Sequence, residues 1–368
     1  MPDTRKLIMG PFAAQKAVAR GAMVNPPNRF EAVRVEHDWE QLENPDELAT
    51  ERRVATSFFP NETRRLITQN DSPDVPFRYS INPYRGCEHG CAYCYARPGH
   101  ETLGMNAGLD FETKILVKYD APARLRQELA EDSWRGDALT LSGVTDCYQP
   151  AEREFRLTRG CLEVMLEARQ AVGMITKNVL VLRDLDLLAP LARESLAHVY
   201  ISITTLDATL ARKLEPRTAS PAAKLRAVRE LAQAGVPVGV MAAPIIPGLN
   251  DQEIPAILAA AKEAGAATAG YVLLRLPFAV RPIFESWVQS EYPDKADRIL
   301  ALIRSTRAGR MNNHQWGTRM RGEGHYAEGI HNTFQVFRKK AGLDRPLPPL
   351  DTSKFSPPQP AGGQLRLF

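Results

Sequence analysis

The chain has 368 residues, of which 44% are hydrophobic, 24% charged and 7% aromatic. This composition supports a large buried core and excludes an intrinsically disordered or fibrous protein. The formal net charge of +4 does not by itself indicate a polyanionic partner. Positive charge is nevertheless concentrated late in the chain, because the segment 304–345 holds nine Lys or Arg against three Asp or Glu.

The cysteine content and the hydropathy pattern indicate a cytoplasmic protein. Five cysteines in 368 residues do not suit the disulfide framework of a small secreted domain, and three of them fall within eight residues. The opening residues contain no apolar stretch of the kind found in signal peptides, and no run of 18 apolar residues occurs. We therefore expect no membrane segment.

Residues 1–72 are rich in Pro, Asn, Arg and Glu and lack apolar periodicity, which predicts a partly irregular N-terminal extension with little core. It should lie on the main domain or remain mobile. From 73 to 290, short apolar runs alternate with amphipathic segments, as in repeated strand and helix units on a parallel sheet. The predicted strands are 77–82, 137–144, 172–177, 198–204, 237–245 and 268–276.

Two helices in this region have clear boundaries. One is predicted to begin after the N-cap Ser220, with Pro221 in its first turn, and to end at Gly235. The other is predicted to be capped by Asp251 and to end at Gly265. The pattern is that of an α/β fold, but periodicity alone does not distinguish a full or partial barrel from an open, doubly wound sheet.

The strongest local signal is the segment NPYRGCEHGCAYCYARPGHE, whose three cysteines have C-x3-C-x2-C spacing. They are Cys87, Cys91 and Cys94. Thiolates favour zinc or an iron-sulfur cluster over hard cations. A structural zinc site would need a fourth ligand, which His89 or His100 could supply. The flanking Gly86 and Gly90 let the backbone wrap around a ligand, which argues against chance clustering. A cluster with three protein ligands would leave one iron open for a substrate or cofactor.

This loop resembles the cysteine loop of the radical S-adenosylmethionine superfamily, in particular the branch that includes spore photoproduct lyase. The resemblance covers about residues 75–290 and implies a partial, TIM-like (β/α)6 barrel. It also implies a 4Fe-4S cluster whose open iron binds the amino and carboxylate groups of S-adenosyl-L-methionine. An electron, supplied by a donor such as flavodoxin or ferredoxin, would then cleave the sulfonium to methionine and a hydrogen-abstracting 5′-deoxyadenosyl radical.

The resemblance further assigns cofactor-binding roles to residues near the carboxyl ends of the predicted strands. It implies an aromatic contact with adenine, a second-strand turn that binds the methionyl amine, contacts to the carboxylate and ribose, and an arginine that pairs with a carboxylate. Packing or solvation is the alternative for each side chain. The residues in these roles are Tyr93 for adenine, Ser142, Gly143 and Thr145 in the turn, Lys177 and Ser202 for the carboxylate and ribose, and Arg217 for the carboxylate pair.

The residues that would determine the reaction depart from the lyase pattern. In that branch a cysteine before the threonine of the second-strand turn donates a hydrogen atom, whereas Val144 stands here. Cys147 is the nearest replacement in sequence, and an inert loop thiol is the alternative. Tyr95 is a candidate radical relay or a packing residue. Cys161 is predicted to lie in the core. Thymine-dimer repair itself is therefore not predicted.

Residues 291–344 are predicted to form a basic, partly helical extension. Its stretch 311–343 interleaves Lys and Arg with four aromatic residues, Trp316, Tyr326, Phe334 and Phe337. Such a pattern suits a nucleic-acid surface, and equally a helix that packs its aromatic face on the barrel. Two functions stay open: a radical enzyme acting on nucleic acid, in DNA repair or base modification, and a zinc- or cluster-containing nucleic-acid-binding protein without radical chemistry.

Residues 345–368 are rich in Pro and Gly and are predicted to form a flexible tail. The tail ends in QLRLF, which resembles the pentapeptide by which bacterial replication and repair proteins bind the DNA sliding clamp. The resemblance assigns clamp contacts to Gln364, Leu365, Leu367 and Phe368. A short motif of this kind gains affinity from a few anchors at the expense of chain entropy. An incidental apolar end, or a tail that packs on its own domain, is the alternative.

Overall fold

The fold is taken from a computed structural model that describes residues 20–30 and 54–359. The strands in these ranges are β1 (Ser57–Pro60), β2 (Thr68–Gln69), β3 (Tyr79–Ile81), β4 (Tyr84–Arg85), β5 (Lys114–Val117), β6 (Leu139–Leu141), β7 (Val172–Thr176), β8 (Ala197–Ser202), β9 (Val238–Ile245) and β10 (Thr268–Leu273).

The α-helices in the described ranges are α1 (Leu109–Thr113), α2 (Ala121–Leu129), α3 (Glu152–Phe155), α4 (Leu157–Glu167), α5 (Leu185–Arg193), α6 (Ala208–Leu214), α7 (Pro221–Gln233), α8 (Ile254–Glu263), α9 (Val280–Glu291), α10 (Ala296–Ser305) and α11 (His325–Lys340). Short 3-10 helices occupy Arg97–Gly99, Glu101–Leu103, Val179–Asp184, Asp251–Glu253, Pro293–Lys295 and Thr352–Lys354. Among the described residues, no helix is both long and apolar enough to cross a membrane.

The main sheet has the strand order β10-β9-β8-β7-β6-β3-β2. Its first six strands are parallel to their neighbours, and β2 pairs antiparallel with β3 at one edge. Because the parallel strands follow one another in chain order without a reversal, the sheet is not doubly wound. Its end strands β10 and β2 do not pair with each other, so the barrel stays open. The partial (β/α)6 barrel is confirmed.

All six predicted strands are present, with shorter bounds. Their apolar residues are buried on both faces, as helix-covered parallel strands require. Helix α7 begins as predicted, since the Ser220 hydroxyl accepts a hydrogen bond from the Ala223 amide. The predicted Asp251 cap of α8 is wrong, because a 3-10 turn at Asp251–Glu253 precedes the helix. The Asp251 carboxylate instead accepts hydrogen bonds from the Gly248 amide and the Tyr326 hydroxyl.

A second, small sheet was not predicted. Its order is β1-β5-β4, with β1 parallel and β4 antiparallel to β5. These strands are two to four residues long, too short for a recognisable alternation. The adjacent chain also contributes to the core, because Leu66 is fully buried and its amide donates to Glu128. From residue 54 onward, the N-terminal extension therefore lies on the domain.

The prediction of a flexible tail from residue 345 is wrong for the described part of it. The Asp351 amide donates to the Ser195 carbonyl, and the Ser356 amide donates to the Ala168 carbonyl, both at 2.9 Å. The Phe355 side chain lies directly over Gly136. We call residues 345–359 the strap. Prolines and single anchor residues hold it against the domain, and because these contacts do not recur at a regular spacing, the sequence pattern did not indicate them. The four predicted clamp contacts lie outside the described residues.

The aromatic residues of the basic extension separate into two kinds. Phe334 is buried in α11 and packs against Tyr271, with ring centroids 4.7 Å apart. Tyr326 is partly buried and bonded to Asp251. Trp316, in contrast, is 63% exposed. Helix α11 thus follows the packing alternative, and its aromatic face is not a free nucleic-acid surface.

Candidate active site

The cysteine loop follows β4 at the edge of the barrel where the parallel strands end. Its backbone is held from both sides. The Cys87 amide donates to the Phe111 carbonyl at 2.9 Å, and the Ala92 amide donates to the Leu214 carbonyl at 3.0 Å. The side chain of Gln149 accepts from the Glu88 amide and donates to the Gly86 carbonyl. The loop is therefore fixed by the elements around it.

A buried ion pair fixes the backbone in the middle of the loop. The guanidinium of Arg97 donates twice to the Cys91 carbonyl, at 2.8 and 3.1 Å, and also binds the Glu112 carboxylate at 2.6 Å. Both charged side chains are fully buried. The Glu112 carboxylate also accepts hydrogen bonds from the amides of Gly21 and Ala22, at 3.0 and 2.7 Å. Residues 20–30 of the N-terminal extension are called the N-terminal arm. The Arg97–Glu112 pair thus connects this arm to the backbone at Cys91.

Two glycines allow the arm and the loop to approach so closely. A Cβ atom on Gly21 would lie 1.7 Å from the Gly90 carbonyl oxygen. Gly90 itself has φ +65°, a left-handed conformation that favours glycine. A Cβ on Gly90 would also meet the Glu112 carboxylate at 2.7 Å. The glycine predicted to let the backbone wrap around a ligand therefore also admits a second chain segment.

The three thiols form one electrostatic group. Burial raises the pKa of the Cys87 thiol, and the nearby charges of Asp146, Cys94 and Cys91 raise it further. Burial likewise raises the pKa of Cys91 and of Cys94. Without a positive centre these thiols stay protonated, whereas bound iron would stabilise the ligating thiolates. The donor set is soft, and two of its three thiols are buried while Cys94 is half-buried, which suits a thiolate-ligated cluster.

The described residues do not form a ready-made site for a single zinc ion. Within the described ranges, no three His, Cys, Asp or Glu side chains converge tightly enough to hold one metal ion. A cluster spreads its thiolate ligands over several irons. Both candidate histidine ligands are also engaged elsewhere: His89 contacts Asp146 and Asn178 through its two ring nitrogens, and His100 bonds the Lys114 carbonyl through Nε2.

A buried carboxylate that sequence reasoning missed organises the region beside the loop. Glu215 accepts hydrogen bonds from the Tyr93 hydroxyl and from Lys224 Nζ, the latter at 2.6 Å. Lys177 Nζ lies 3.4 Å from the same carboxylate and 5.7 Å from the centre of the Tyr93 ring. Burial alone would raise the pKa of Glu215, but the two lysines outweigh it and hold the pKa below its ordinary value. Glu215 therefore stays ionised and fixes both predicted cofactor residues, Tyr93 and Lys177.

The predicted turn after the second barrel strand is sharply bent. Ser142 has φ +70°, and its hydroxyl accepts a hydrogen bond from the Cys147 amide at 2.8 Å. The Gly143 carbonyl accepts from the Tyr95 hydroxyl, so the turn touches the cysteine loop. Thr145 directs its hydroxyl to the Tyr84 carbonyl. The Thr145 hydroxyl is thus used within the fold, and the backbone of Gly143 lies beside the loop.

A second missed carboxylate links neighbouring strand ends. Asp146 accepts hydrogen bonds from the Thr176 hydroxyl at 2.7 Å and from the Lys177 amide at 2.8 Å. It also accepts a hydrogen bond from the Tyr148 amide at 2.9 Å, and it lies 3.4 Å from His89 in the cysteine loop. Burial lowers the pKa of His89, so this ring stays neutral at physiological pH. Asp146 thereby ties the second and third barrel strands to the loop.

Two further predicted cofactor residues occupy different settings. Ser202 is buried at the carboxyl end of β8, two residues before Thr204, whose hydroxyl lies 3.3 Å from the Tyr93 hydroxyl. Arg217 pairs with Glu88 of the cysteine loop at 3.0 Å and contacts Thr56. The Arg217 guanidinium therefore binds the loop itself, and its assigned contact with a cofactor carboxylate stays a prediction.

The candidate reaction residues differ in exposure. Cys147 is 1% exposed, lies in the main core and has a raised pKa because of burial. Reactive cysteines usually need partial exposure, so this position favours the inert-thiol alternative. Cys161 is fully buried in the same core, as expected. Tyr95 is 48% exposed and Val144 is 51% exposed, and both belong to the rim where the loop meets the second-strand turn.

The structure thus brings Tyr93 and Lys177 together at Glu215, whose charge also acts on Cys91. The Ser142–Thr145 turn contacts the cysteine loop through Tyr95. Glu215 and Asp146 carried no sequence signal, because neither belongs to a spaced motif. Their importance follows from complete or near-complete burial of a charged group, which only the fold reveals.

Comparison with known proteins agrees with this geometry. The model of the radical SAM superfamily matches residues 81–261. An uncharacterized protein of Mycobacterium tuberculosis is 36% identical over 232 residues, which cover 62% of this chain and 68% of that protein. An uncharacterized protein of Methanocaldococcus jannaschii is 32% identical over 176 residues, covering 48% of this chain and 63% of the other.

Solved structures show the same fold. Spore photoproduct lyase complexed with dinucleoside spore photoproduct is similar at a TM-score of 0.56 and 18% identity, covering 77% of this chain and 79% of that one. A variant of that lyase with bound AdoMet and dinucleoside spore photoproduct gives a TM-score of 0.57 at 17% identity, covering 85% of each chain. The chain belongs to the radical SAM superfamily and is a radical SAM enzyme.

Proposed function

We propose that the enzyme uses a 4Fe-4S cluster held by Cys87, Cys91 and Cys94 to act on a nucleic acid, in DNA repair or base modification. The observation that carries the cluster assignment is a single short loop at the strand ends that carries three thiols, two of them buried, with the Lys177 side chain acting on Cys91 and Cys94. When bound, the cluster supplies the electron for cleavage of S-adenosyl-L-methionine to methionine and a 5′-deoxyadenosyl radical. An electron donor such as flavodoxin or ferredoxin would serve it in the cytoplasm.

The chain's own residues prepare this site. Arg97 and Gln149 fix the loop backbone, so the thiols are positioned before any ligand binds. Glu215 holds the Lys177 side chain beside Tyr93, which suits the carboxylate and adenine of S-adenosyl-L-methionine. Gly143 follows β6 and the buried Ser202 ends β8, so both lie at the edge where the barrel strands end, where the resemblance assigns them cofactor contacts.

The nucleic-acid substrate is supported by the open rim and by the fold neighbours. Tyr95 and Val144 are about half exposed, so the site opens to a ligand larger than the cofactor. The neighbouring lyase structures contain a dinucleoside spore photoproduct. Val144 has no thiol that could donate a hydrogen atom, and the Cys147 thiol is buried. We therefore expect the final hydrogen donor to differ from that of the lyase.

The substrate class is tested by hydrogen transfer. Anaerobically reconstituted protein with reductant and S-adenosyl-L-methionine is mixed with damaged or native DNA and RNA oligonucleotides carrying deuterium. Deuterium in 5′-deoxyadenosine, dependent on one nucleic acid, supports the proposal. If the enzyme cleaves S-adenosyl-L-methionine but the 5′-deoxyadenosine contains no deuterium with any oligonucleotide, the result argues against a nucleic-acid substrate.

A partner follows from the terminal QLRLF sequence. We infer that Gln364, Leu365, Leu367 and Phe368 bind the DNA sliding clamp, with the leucine and phenylalanine side chains in an apolar pocket. A fluorescent peptide of these terminal residues should bind purified clamp, and alanine at Leu367 and Phe368 should abolish binding. Equal binding of both peptides would refute this role.

A further inference from the structure

An exposed group of aromatic and arginine side chains lies beside the barrel rim, outside the site described above. It surrounds an open cavity of about 570 Å³ that Phe278, Arg281, Arg304, Arg310, Asn312 and His314 help to line. Arg29 and Phe30 of the N-terminal arm adjoin it. We call these residues the Phe278 surface.

The centre of this surface is a strained, exposed phenylalanine. Phe278 has φ +48° and is 56% exposed. A bulky residue with positive φ is uncommon and costs conformational energy, so such positions often have a functional reason. The Arg29 guanidinium lies 4.0 Å from the centre of the Phe278 ring, and the His314 ring centroid lies 5.4 Å away. These neighbours cover part of the ring and leave the remainder open to a flat ligand.

The surrounding charge is positive. Arg281 is exposed and pairs with Glu285 on its own helix. Arg304 and Arg310 are exposed and form no ion pair with any other described residue. Phe30, which is 62% exposed, adds a second ring, with the Arg29 guanidinium 4.7 Å from its centre. Free guanidinium groups bind phosphates, and exposed rings stack on unpaired bases.

The Phe278 surface is continuous with the rim of the candidate active site. Phe278 lies in the connection that follows β10, at the edge where the barrel strands end. In the same connection, the Arg275 guanidinium lies 5.9 Å from the centre of the Tyr95 ring. Arg29 pairs at 3.1 Å with Glu101, shortly after the cysteine loop. A strand crossing this surface would therefore reach the rim.

We propose that the Phe278 surface binds single-stranded nucleic acid, with bases stacked on Phe278 and phosphates on Arg304 and Arg310. This inference deepens the proposed function and rests on its nucleic-acid substrate. Single strands are favoured over duplex because only unpaired bases expose their faces to a ring. The assignment also relocates the predicted nucleic-acid surface, since most aromatic residues of α11 pack inward.

The chain supplies a matched control surface. Tyr119 is 50% exposed beside an open cavity of about 660 Å³ that also contains Arg64. That cavity is lined by Glu62 and Asp120 as well, so its charge is balanced. Tyr119→Ala and Arg64→Gln remove the same chemical groups from a place where no nucleic acid is proposed to bind.

Binding of fluorescent single-stranded DNA and RNA oligonucleotides to the full-length protein, without cluster or cofactor, tests the assignment. Phe278→Ala should weaken binding about tenfold, and Arg310→Gln should weaken it and lower the salt dependence by about one phosphate contact. Tyr119→Ala and Arg64→Gln should leave affinity unchanged, and thermal melts confirm folding.

Two results would contradict binding of single-stranded nucleic acid at the Phe278 surface. Affinity insensitive to Phe278→Ala and Arg310→Gln would overturn the assignment. Tighter, Phe278-independent binding of duplex would overturn it as well. Because the assay needs no radical chemistry, failure here is distinguishable from failure to cleave S-adenosyl-L-methionine.

Discussion

The contact between the N-terminal arm and the cysteine loop predicts a strong effect of adding one methyl group. In Gly21→Ala, the new Cβ would lie 1.7 Å from the Gly90 carbonyl oxygen, whereas ordinary contacts are 3.4–4 Å. The carbonyl oxygen belongs to the backbone and the Cβ is rigidly attached to it, so no flexible side chain can relieve the overlap. The arm or the loop must therefore move.

The cost follows from what such a movement breaks. Overpacking of a closely packed site costs about 1–3 kcal/mol. Release of the arm would also remove the amide hydrogen bonds of Gly21 and Ala22 to the buried Glu112 carboxylate, each contributing about 1.5–3 kcal/mol. We expect a loss in the free energy of unfolding of about 3–6 kcal/mol if the arm is released, and of about 1–3 kcal/mol if it stays in place and the site is overpacked. Since Glu112 holds Arg97, and Arg97 holds the Cys91 carbonyl, iron binding should weaken too.

Thermal unfolding, limited proteolysis and iron content after anaerobic reconstitution measure these effects. Gly99→Ala is the matched control, because a Cβ there meets no atom within 4 Å. Gly21→Ala should lower Tm by several degrees, expose the arm to protease and reduce iron per chain. If both variants show the same Tm and iron content, the arm does not support the loop and the reasoning is refuted.

Two further variants test other parts of the fold. Glu215→Gln leaves the buried Lys224 and the partly buried Lys177 without their carboxylate and should cost about 3–5 kcal/mol. Glu230→Gln, whose carboxylate is 42% exposed, should cost almost nothing. The pKa of Glu215 is held below its ordinary 4.5, so its stabilising charge is complete above that pH and is lost as pH falls. In acid, the Tm of the wild type should therefore drop more steeply than the Tm of Glu215→Gln. Parallel plots of Tm against pH for the two proteins would contradict this. Phe355→Ala removes the side chain over Gly136 and should cost about 1–2 kcal/mol in denaturant unfolding, whereas an unchanged midpoint would show that the strap does not stabilise the domain.

The sequence predicted alternating strands and helices because short apolar runs and helix caps are local features, whereas the partial barrel followed from the resemblance of the cysteine loop. It could not predict β1 and β5, which are four residues each and are stabilised by pairing across more than fifty residues of chain. The strap at 345–359 was misassigned for the same reason. Its stability comes from separate contacts such as that of Phe355, not from a repeating pattern.

The candidate site divides in a similar way. The cysteines could be identified because C-x3-C-x2-C spacing is a local signature of metal binding. Lys177 and Tyr93 required the resemblance, and the structure places them together. Glu215, Asp146 and Glu112 could not be found from sequence, because a buried carboxylate looks like any surface acid until its partners are assembled around it. Phe278 was missed because its exposure and positive φ depend on the loop that carries it.

Formation of 5′-deoxyadenosine tests the central claim most directly. Reconstituted wild-type protein, Cys91→Ala and Cys161→Ala are each incubated anaerobically with reductant and S-adenosyl-L-methionine. Cys161→Ala is the matched control, since it removes an equally buried thiol from the core. The wild type and Cys161→Ala should produce 5′-deoxyadenosine, and Cys91→Ala should not, while remaining folded. Equal production by Cys91→Ala and the wild type would contradict the assignment of the cysteine loop as the site of radical chemistry.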